Sequence, residues 1–165
     1  DSVGSAWSLG SSSTIKWPST ARAASGNGGV AQVVKSTAGA IGYVDYSTAQ
    51  ASNLTAASVE NKAGDYVAPS TTAASTAAAG VTVASNLTFH AVWASSDPTA
   101  YPITYQTWDI VYATQPNATD VALLKAYLGF LLGSTGQALL PTLHYAPLPT
   151  NIDSMAVAQL SQITS

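Results

Sequence analysis

Cysteine is absent from this chain. That excludes disulfides, thiolate catalysis and zinc or iron–sulfur sites held by cysteine. It does not assign a compartment. Charge is scarce too: 8% of the 165 residues are Asp, Glu, Lys or Arg, against about 25% in an average globular chain. Four Lys and one Arg cannot build a broad phosphate-tracking surface, which argues against nucleic-acid partners. A polybasic membrane contact falls by the same count. No apolar run approaches the roughly 20 residues of a membrane span. The richest stretch, Val121–Leu132, is interrupted by Lys125. No signal-peptide pattern opens the chain. Asp1 is not an initiator Met, so the expectation is that the chain starts at a processing or cleavage site or an artificial boundary.

Motifs for chemistry are also missing. His90 and His144 are far apart, form no His-x-x-x-His pair and have no acidic flank at ligand spacing, so no metal site is expected. There is no Gly-x-Ser-x-Gly elbow. Ser13-Thr14-Ile15-Lys16 fits Ser-x-x-Lys, but its usual companions are lacking, and a chance match explains it. The carboxylates are scattered, and nothing singles out a glycosidase pair. No Gly-x-Gly-x-x-Gly and no P-loop occur. The expectation is a protein without catalytic residues or cofactors.

What is present is apolar content, 47% of residues, set in a Ser/Thr-rich background with a net charge of −3. Val30, Val33 and Val34 form an i, i+3, i+4 stripe after Ser25-Gly26-Asn27-Gly28-Gly29, which predicts a helix from about Asn27 to Ser36. Ala40–Val44, apolar between glycines, reads as a buried strand, and Asp45 as the cap of a helical turn through Ala51. Ala56–Glu60 reads as a short strand and Asn61–Tyr66 as a turn reversing at Gly64-Asp65. Ser70 or Thr71 would cap an Ala-rich helix to Ala79. Val81–Trp93 stays open between loop and extended chain. Ile103–Tyr112 carries the strongest β signal. Asn117–Asp120 caps a helix at about Val121–Leu132, apolar nearly all round and therefore expected to be well buried. Gly133–Gly136 breaks it. A short helical piece at Gln137–Leu140, a rigid turn at Pro147-Leu148-Pro149 and a terminal helix at Asp153–Gln162 follow. Strands alternating with helices indicate an α/β fold.

Three features invite a binding role. Ser25, Gly26, Asn27, Gly28 and Gly29 precede a helix, and amides at a helix N-terminus can hold an anion, although most such loops only cap. Trp7, Trp17, Trp93 and Trp108 suggest a sugar platform, against core packing as the commoner use. Asn53-Leu54-Thr55, Asn86-Leu87-Thr88 and Asn117-Ala118-Thr119 fit the glycosylation sequon, which chance explains as well in a Thr-rich chain.

The order of unusual strings carries further. Thr14-Ile15-Lys16-Trp17-Pro18, Ala24-Ser25-Gly26-Asn27-Gly28-Gly29-Val30-Ala31 and Gly39-Ala40-Ile41-Gly42-Tyr43-Val44-Asp45-Tyr46 come first. Ala100-Tyr101-Pro102-Ile103-Thr104, Gly136-Gln137-Ala138 and Tyr145-Ala146-Pro147-Leu148-Pro149 follow. In this order they resemble the bacterial periplasmic phosphate-binding receptors of ABC transporters, the PstS type, over that family's C-terminal half.

The resemblance implies an incomplete α/β fold of the periplasmic-binding-protein type II kind, with parts of two lobes joined by a hinge crossing. Residues 1–98 would belong to the second lobe, and 99–165 to the hinge return and the first lobe. It implies a non-enzymatic receptor for inorganic phosphate in a high-affinity import system, with a transporter permease as partner and no nucleic acid. The location would be periplasmic or extracellular, with a lipid anchor on the precursor as one option. The family's main phosphate ligands lie in an N-terminal Gly/Ser/Thr loop and an Arg-Ser-Asp-Gly-Ser-Gly-Thr segment. Neither string is found here, and Arg22 does not sit in such a motif. No family ligand is therefore carried over, and Ser25–Gly29 remains the only local candidate. An N-terminal fragment or a second chain would have to complete the site. The alternative is a structural or assembly subunit that pairs with another chain or itself, and in either case apolar sheet edges should lie exposed.

Overall fold

A computed structural model describes residues 7–10, 12 and 14–165. Asp1 and Ser13, the serine of the Ser-x-x-Lys match, lie outside the described residues.

Helices dominate. They are α1 (Gly26–Ser36), α2 (Tyr46–Ala51), α3 (Thr71–Ala79), α4 (Ala118–Leu132), α5 (Ser134–Leu139) and α6 (Thr150–Gln159). Short 3-10 turns at Leu140–Leu143 and Leu160–Gln162 extend the last two. Their starts follow local chemistry. The Ser70 hydroxyl accepts from the Ala73 amide at 3.0 Å, and the Asn117 side chain accepts from the Asp120 amide at 2.9 Å. Each satisfies one of the orphan donors of a first helical turn. Asp120 adds a negative charge near the positive end of α4.

The expected α/β sheet is not formed among the described residues. The one sheet is a hairpin of β1 (Val59–Glu60) and β2 (Tyr66–Val67), antiparallel, with Val59 opposite Val67. Ala40–Val44 and Ile103–Tyr112 run without pairing as strands. Ile41 is 91% exposed and Ile110 92%, so the buried strand read at Ala40–Val44 and the strand read at Ile103–Tyr112 are both corrected to largely exposed chain. The reason is physical. A strand satisfies its backbone only on a neighbouring strand, and among the described residues no strand pairs with these segments. Just past the second one, Thr114 forms an isolated parallel bridge with Thr164. Val81–Trp93 forms no helix or strand.

The core is thin. Its buried apolar residues are mostly alanines, among them Ala73, Ala77 and Ala78 of α3, with Leu128, Ile152 and Ile163 as the larger members. α3 packs on α6, α4 on α5 and α6, and α1 on α2. Small side chains let these helices approach closely but bury little area, so each contributes little hydrophobic stabilisation. The reading of α4 as well buried is corrected as well: Leu128 is buried, while Leu123, Tyr127 and Phe130 stand exposed. All-round apolarity demands cover on every side, and α5 and α6 supply only part of it.

Two glycines mark close approaches. A Cβ on Gly136 would come 2.2 Å from the Phe130 carbonyl oxygen, so only glycine lets α5 fold back against the end of α4. A Cβ on Gly42 would meet Val34 Cγ2 at 2.8 Å, so glycine lets the exposed segment lie on α1. No single helix among the described residues is long and apolar enough to cross a membrane. α4 and the helical stretch after it suffice together in length, but they meet at a 47° bend.

Candidate functional site

The loop Ser25–Gly29 leads into α1 as its sequence predicts. Ser25 holds the N-cap position with extended backbone, but its side chain makes no capping hydrogen bond. Ser25, Gly26, Asn27 and Gly28 are exposed and Gly29 is half-buried. The first-turn amides of α1 are thus not capped by the Ser25 hydroxyl.

Asp45 stands beside this end of α1. Asn27 Nδ2 donates to Asp45 Oδ2 at 2.5 Å, and the Asp45 amide donates back to Asn27 Oδ1 at 3.3 Å. The Tyr105 hydroxyl donates to the other carboxylate oxygen, Oδ1. This hydrogen bond to Asp45 is the main reason the Tyr105 hydroxyl is pushed up to about 12; burial and the neighbouring charges of Asp45 and Tyr145 add to it. Nearby, Tyr46 and His144 meet edge to face at 5.9 Å. Three distant parts of the chain therefore meet at one carboxylate: the start of α1, the start of α2 and the Ile103–Tyr112 segment.

The chemistry of this cluster is that of donors around an acceptor. Amides at the start of α1 and the Ser25 hydroxyl offer neutral donors to an oxyanion. Asp45 is itself an anion at that positive helix end, with both oxygens taken. An incoming oxyanion that carries a proton could donate to such a carboxylate; a fully deprotonated one would be repelled.

Sequence reasoning named Ser25–Gly29 but missed Asp45 and Tyr105. It read Asp45 as a helix cap. Asp45 does occupy the N-cap position of α2, yet its side chain makes no capping bond there. The Asp45–Tyr105 contact spans 60 residues, and no local signal announces it.

The other candidates separate in space. Trp7 and Trp17 pack edge to face at 5.9 Å, and Trp17 leans on Tyr43 at 6.4 Å. Trp93 and Trp108 join no aromatic contact among the described residues, so the four tryptophans form no single platform. His90 lines an open groove of about 510 Å³ with Thr82, Thr88 and Phe89. No group of three metal-ligating side chains occurs among the described residues. Of the sequon asparagines, Asn86 accepts from the Thr88 amide at 3.1 Å and Asn117 caps α4.

Comparison with known proteins defines the class. The PBP superfamily domain matches residues 8–135, and the chain belongs to that superfamily. Among curated relatives it is similar to the "Phosphate-binding protein PstS" of Pasteurella multocida, 30% identical over 154 residues, which are 92% of this chain and 44% of that protein. The protein of the same name from Xylella fastidiosa is 31% identical over 147 residues, 87% of this chain and 39% of its own length. "Phosphate-binding protein PstS 3" of Mycobacterium tuberculosis is 30% identical over 155 residues, 90% of this chain and 41% of its own. The chain spans about two fifths of the length of these relatives.

Proposed function

We propose that this chain is the C-terminal portion of a phosphate-binding receptor of a high-affinity ABC import system and that it catalyses no reaction. The observation that carries this reading is the match to three phosphate-binding proteins over 87–92% of the chain. The ordered strings from Thr14 to Pro149 support it. In this reading residues 1–98 belong to one lobe, and 99–165 form the hinge return and part of the other. The receptor works outside the cytoplasmic membrane and delivers inorganic phosphate to a permease.

The donor-rich, low-charge composition suits recognition of phosphate by neutral hydrogen bonds. Ser25, Gly26, Asn27, Gly28 and Gly29 are the local candidates for contact. Most of the ligand shell comes from an N-terminal portion that this chain does not contain. A second reading, a subunit whose role is assembly, draws on the exposed apolar segments at Ile41 and Ile110.

Calorimetry with inorganic phosphate tests the first reading. The isolated chain should show no submicromolar binding, while the longer protein encoded by the same reading frame should show it. Submicromolar binding by the isolated chain would overturn the division of the site. Absence of phosphate binding by the longer protein would overturn the receptor reading itself.

A further inference from the structure

The helices of this chain fall into two packed groups. α3, α4, α5 and α6 pack on one another, while α1 and α2 pack chiefly on each other. The α1–α2 unit is closed by its own contacts. Asn27 is bonded to Asp45 in both directions, and Lys35 Nζ donates to Ser52 O at 3.2 Å. Between residues 14–54 and residues 59–165 a single hydrogen bond occurs among the described residues: the Tyr105 hydroxyl donates to Asp45 Oδ1. One aromatic contact accompanies it, Tyr46 edge to face on His144 at 5.9 Å. Both ties leave from adjacent residues at the start of α2. The covalent link, Leu54–Ser58, is irregular chain.

Tyr105 is 66% exposed, so its tie to the unit is the hydroxyl more than the ring. A phenol donating to a carboxylate is a charge-assisted bond, stronger than a neutral one. The same carboxylate accepts from Asn27, the second residue of α1, on its other oxygen. One side chain therefore holds the start of α1 and the Ile103–Tyr112 segment together.

We infer that Asp45 and Tyr105 are a positioning pair: their bond fixes the α1–α2 unit, and with it the loop Ser25–Gly29, against the Ile103–Tyr112 segment. Neither residue contacts the ligand in this assignment; they set where the loop stands. Without the hydroxyl, only the Tyr46–His144 contact and the irregular link restrain the unit, and it swings. The inference rests on the receptor reading only in taking Ser25–Gly29 as phosphate contacts.

Distances between paired spin labels test this. The chain has no cysteine, so labels go only where cysteines are introduced. Gln32→Cys on α1 and Ala122→Cys on α4, both exposed, report where the unit stands. The parent should give one narrow distance distribution. Tyr105→Phe keeps the ring and removes the donor, and should roughly double the width of that distribution. Asp45→Ala should broaden it too, and the double variant should match Asp45→Ala, because both changes break the same bond. Tyr112→Phe, at a residue 87% exposed, should change nothing. Unchanged widths in Tyr105→Phe would overturn the inference, and so would equal broadening in Tyr112→Phe.

A second label pair separates placement from folding. Gln32→Cys with Ala51→Cys, exposed on α1 and α2, reports the inside of the unit and should keep its distance in Tyr105→Phe. A change there would mean that the bond maintains the fold of the unit and not its placement, which overturns the inference. Phosphate calorimetry on the longer protein encoded by the same reading frame is a separate readout. Tyr105→Phe should weaken phosphate binding about threefold to tenfold, because the loop spends less time in place. A parent that binds no phosphate would sink the receptor reading and leave the placement to the label distances. A parent whose affinity Tyr105→Phe leaves unchanged would refute the pair's role at the site.

Discussion

The Asn61 side chain donates to the carbonyl of Ala100 across 39 residues, at 3.2 Å. The same amide nitrogen reaches the carbonyls of Asp97 at 3.3 Å and Pro98 at 3.0 Å, and Oδ1 accepts from the amides of Ala63 and Asp65. Asn61 is 2% exposed. One buried carboxamide thus closes the β1–β2 turn and ties it to the Asp97–Ala100 turn. Asn61→Ala would leave those carbonyls and amides without their partner. The expected loss is about 2–3 kcal/mol, read as a lower urea midpoint with an unchanged slope. A loss under about 0.5 kcal/mol would mean that water replaces the side chain readily.

Tyr105 supplies a pH signature. Its hydroxyl is raised from 10.0 to about 12, chiefly by donation to Asp45. The neutral phenol is the form favoured in the folded chain. Its contribution to stability is therefore complete below the unfolded value near 10 and is lost as pH rises through about 12. Burial also raises Tyr101, so tyrosinate absorbance should show a late-titrating fraction that shrinks in Tyr105→Phe and does not vanish. Asp45→Asn should move Tyr105 back towards its ordinary value. If all tyrosines titrate together in the parent chain, the Asp45–Tyr105 bond does not persist in solution.

Caps offer a graded test of how local chemistry sets the helices. Asn117→Ala and Ser70→Ala each remove a capping acceptor with a bonded amide, and each should cost about 1 kcal/mol. Ser25→Ala removes a side chain that makes no such bond and should cost only a few tenths of a kcal/mol. Thermal unfolding of the three variants checks the ranking. A Ser25→Ala loss as large as the others would reveal a cap formed only in solution.

The same contrast explains what could be read in advance. α1, α3 and α4 were legible because their signals are local: the Val30–Val33–Val34 stripe, the Ser70 cap and the Asn117 cap all act within one or two turns. Ile103–Tyr112 carried the strongest strand signal and is no strand here, because a strand needs a partner that sequence spacing cannot place. α4 was misjudged in burial for a related reason. Leu123, Tyr127 and Phe130 state what the helix needs covered and not what covers it. At the candidate site, Ser25–Gly29 was visible as a helix entry. The carboxylate that dominates it was not, because Asp45 meets Asn27 and Tyr105 across 18 and 60 residues.

Asp97 should respond to Thr99. The Thr99 hydroxyl and amide both donate to Asp97 Oδ1, at 2.7 and 2.8 Å. They hold the carboxyl below its ordinary value of 3.8, with the hydroxyl the larger cause. A depressed carboxyl favours the fold above the unfolded value, and that contribution is lost as pH falls through the folded one. Thr99→Val removes the hydroxyl donor and keeps the amide, so the Asp97 carboxyl should titrate closer to 3.8 without reaching it. Side-chain carboxyl shifts followed by NMR would show this. An unmoved Asp97 would assign the whole depression to the backbone donor.

Glycine substitutions separate space from flexibility. A Cβ at Gly136 would sit 2.2 Å from Phe130 O and 2.9 Å from Leu131 O, both backbone atoms that cannot swing aside. Gly136→Ala must therefore push α5 away from the end of α4. That would strain the Gln137 contacts to Leu131 O and to the Leu148 amide. The expected cost is about 1–3 kcal/mol, as for an overpacked core. At Gly28, in the first turn of α1, a Cβ would meet nothing within 4 Å. Gly28→Ala should stabilise by about 0.5–1 kcal/mol, because alanine has less backbone freedom to lose on folding. The two variants should thus move the unfolding midpoint in opposite directions. If Gly28→Ala instead destabilises the chain, the start of α1 has a conformation or an occupant that a methyl group disturbs.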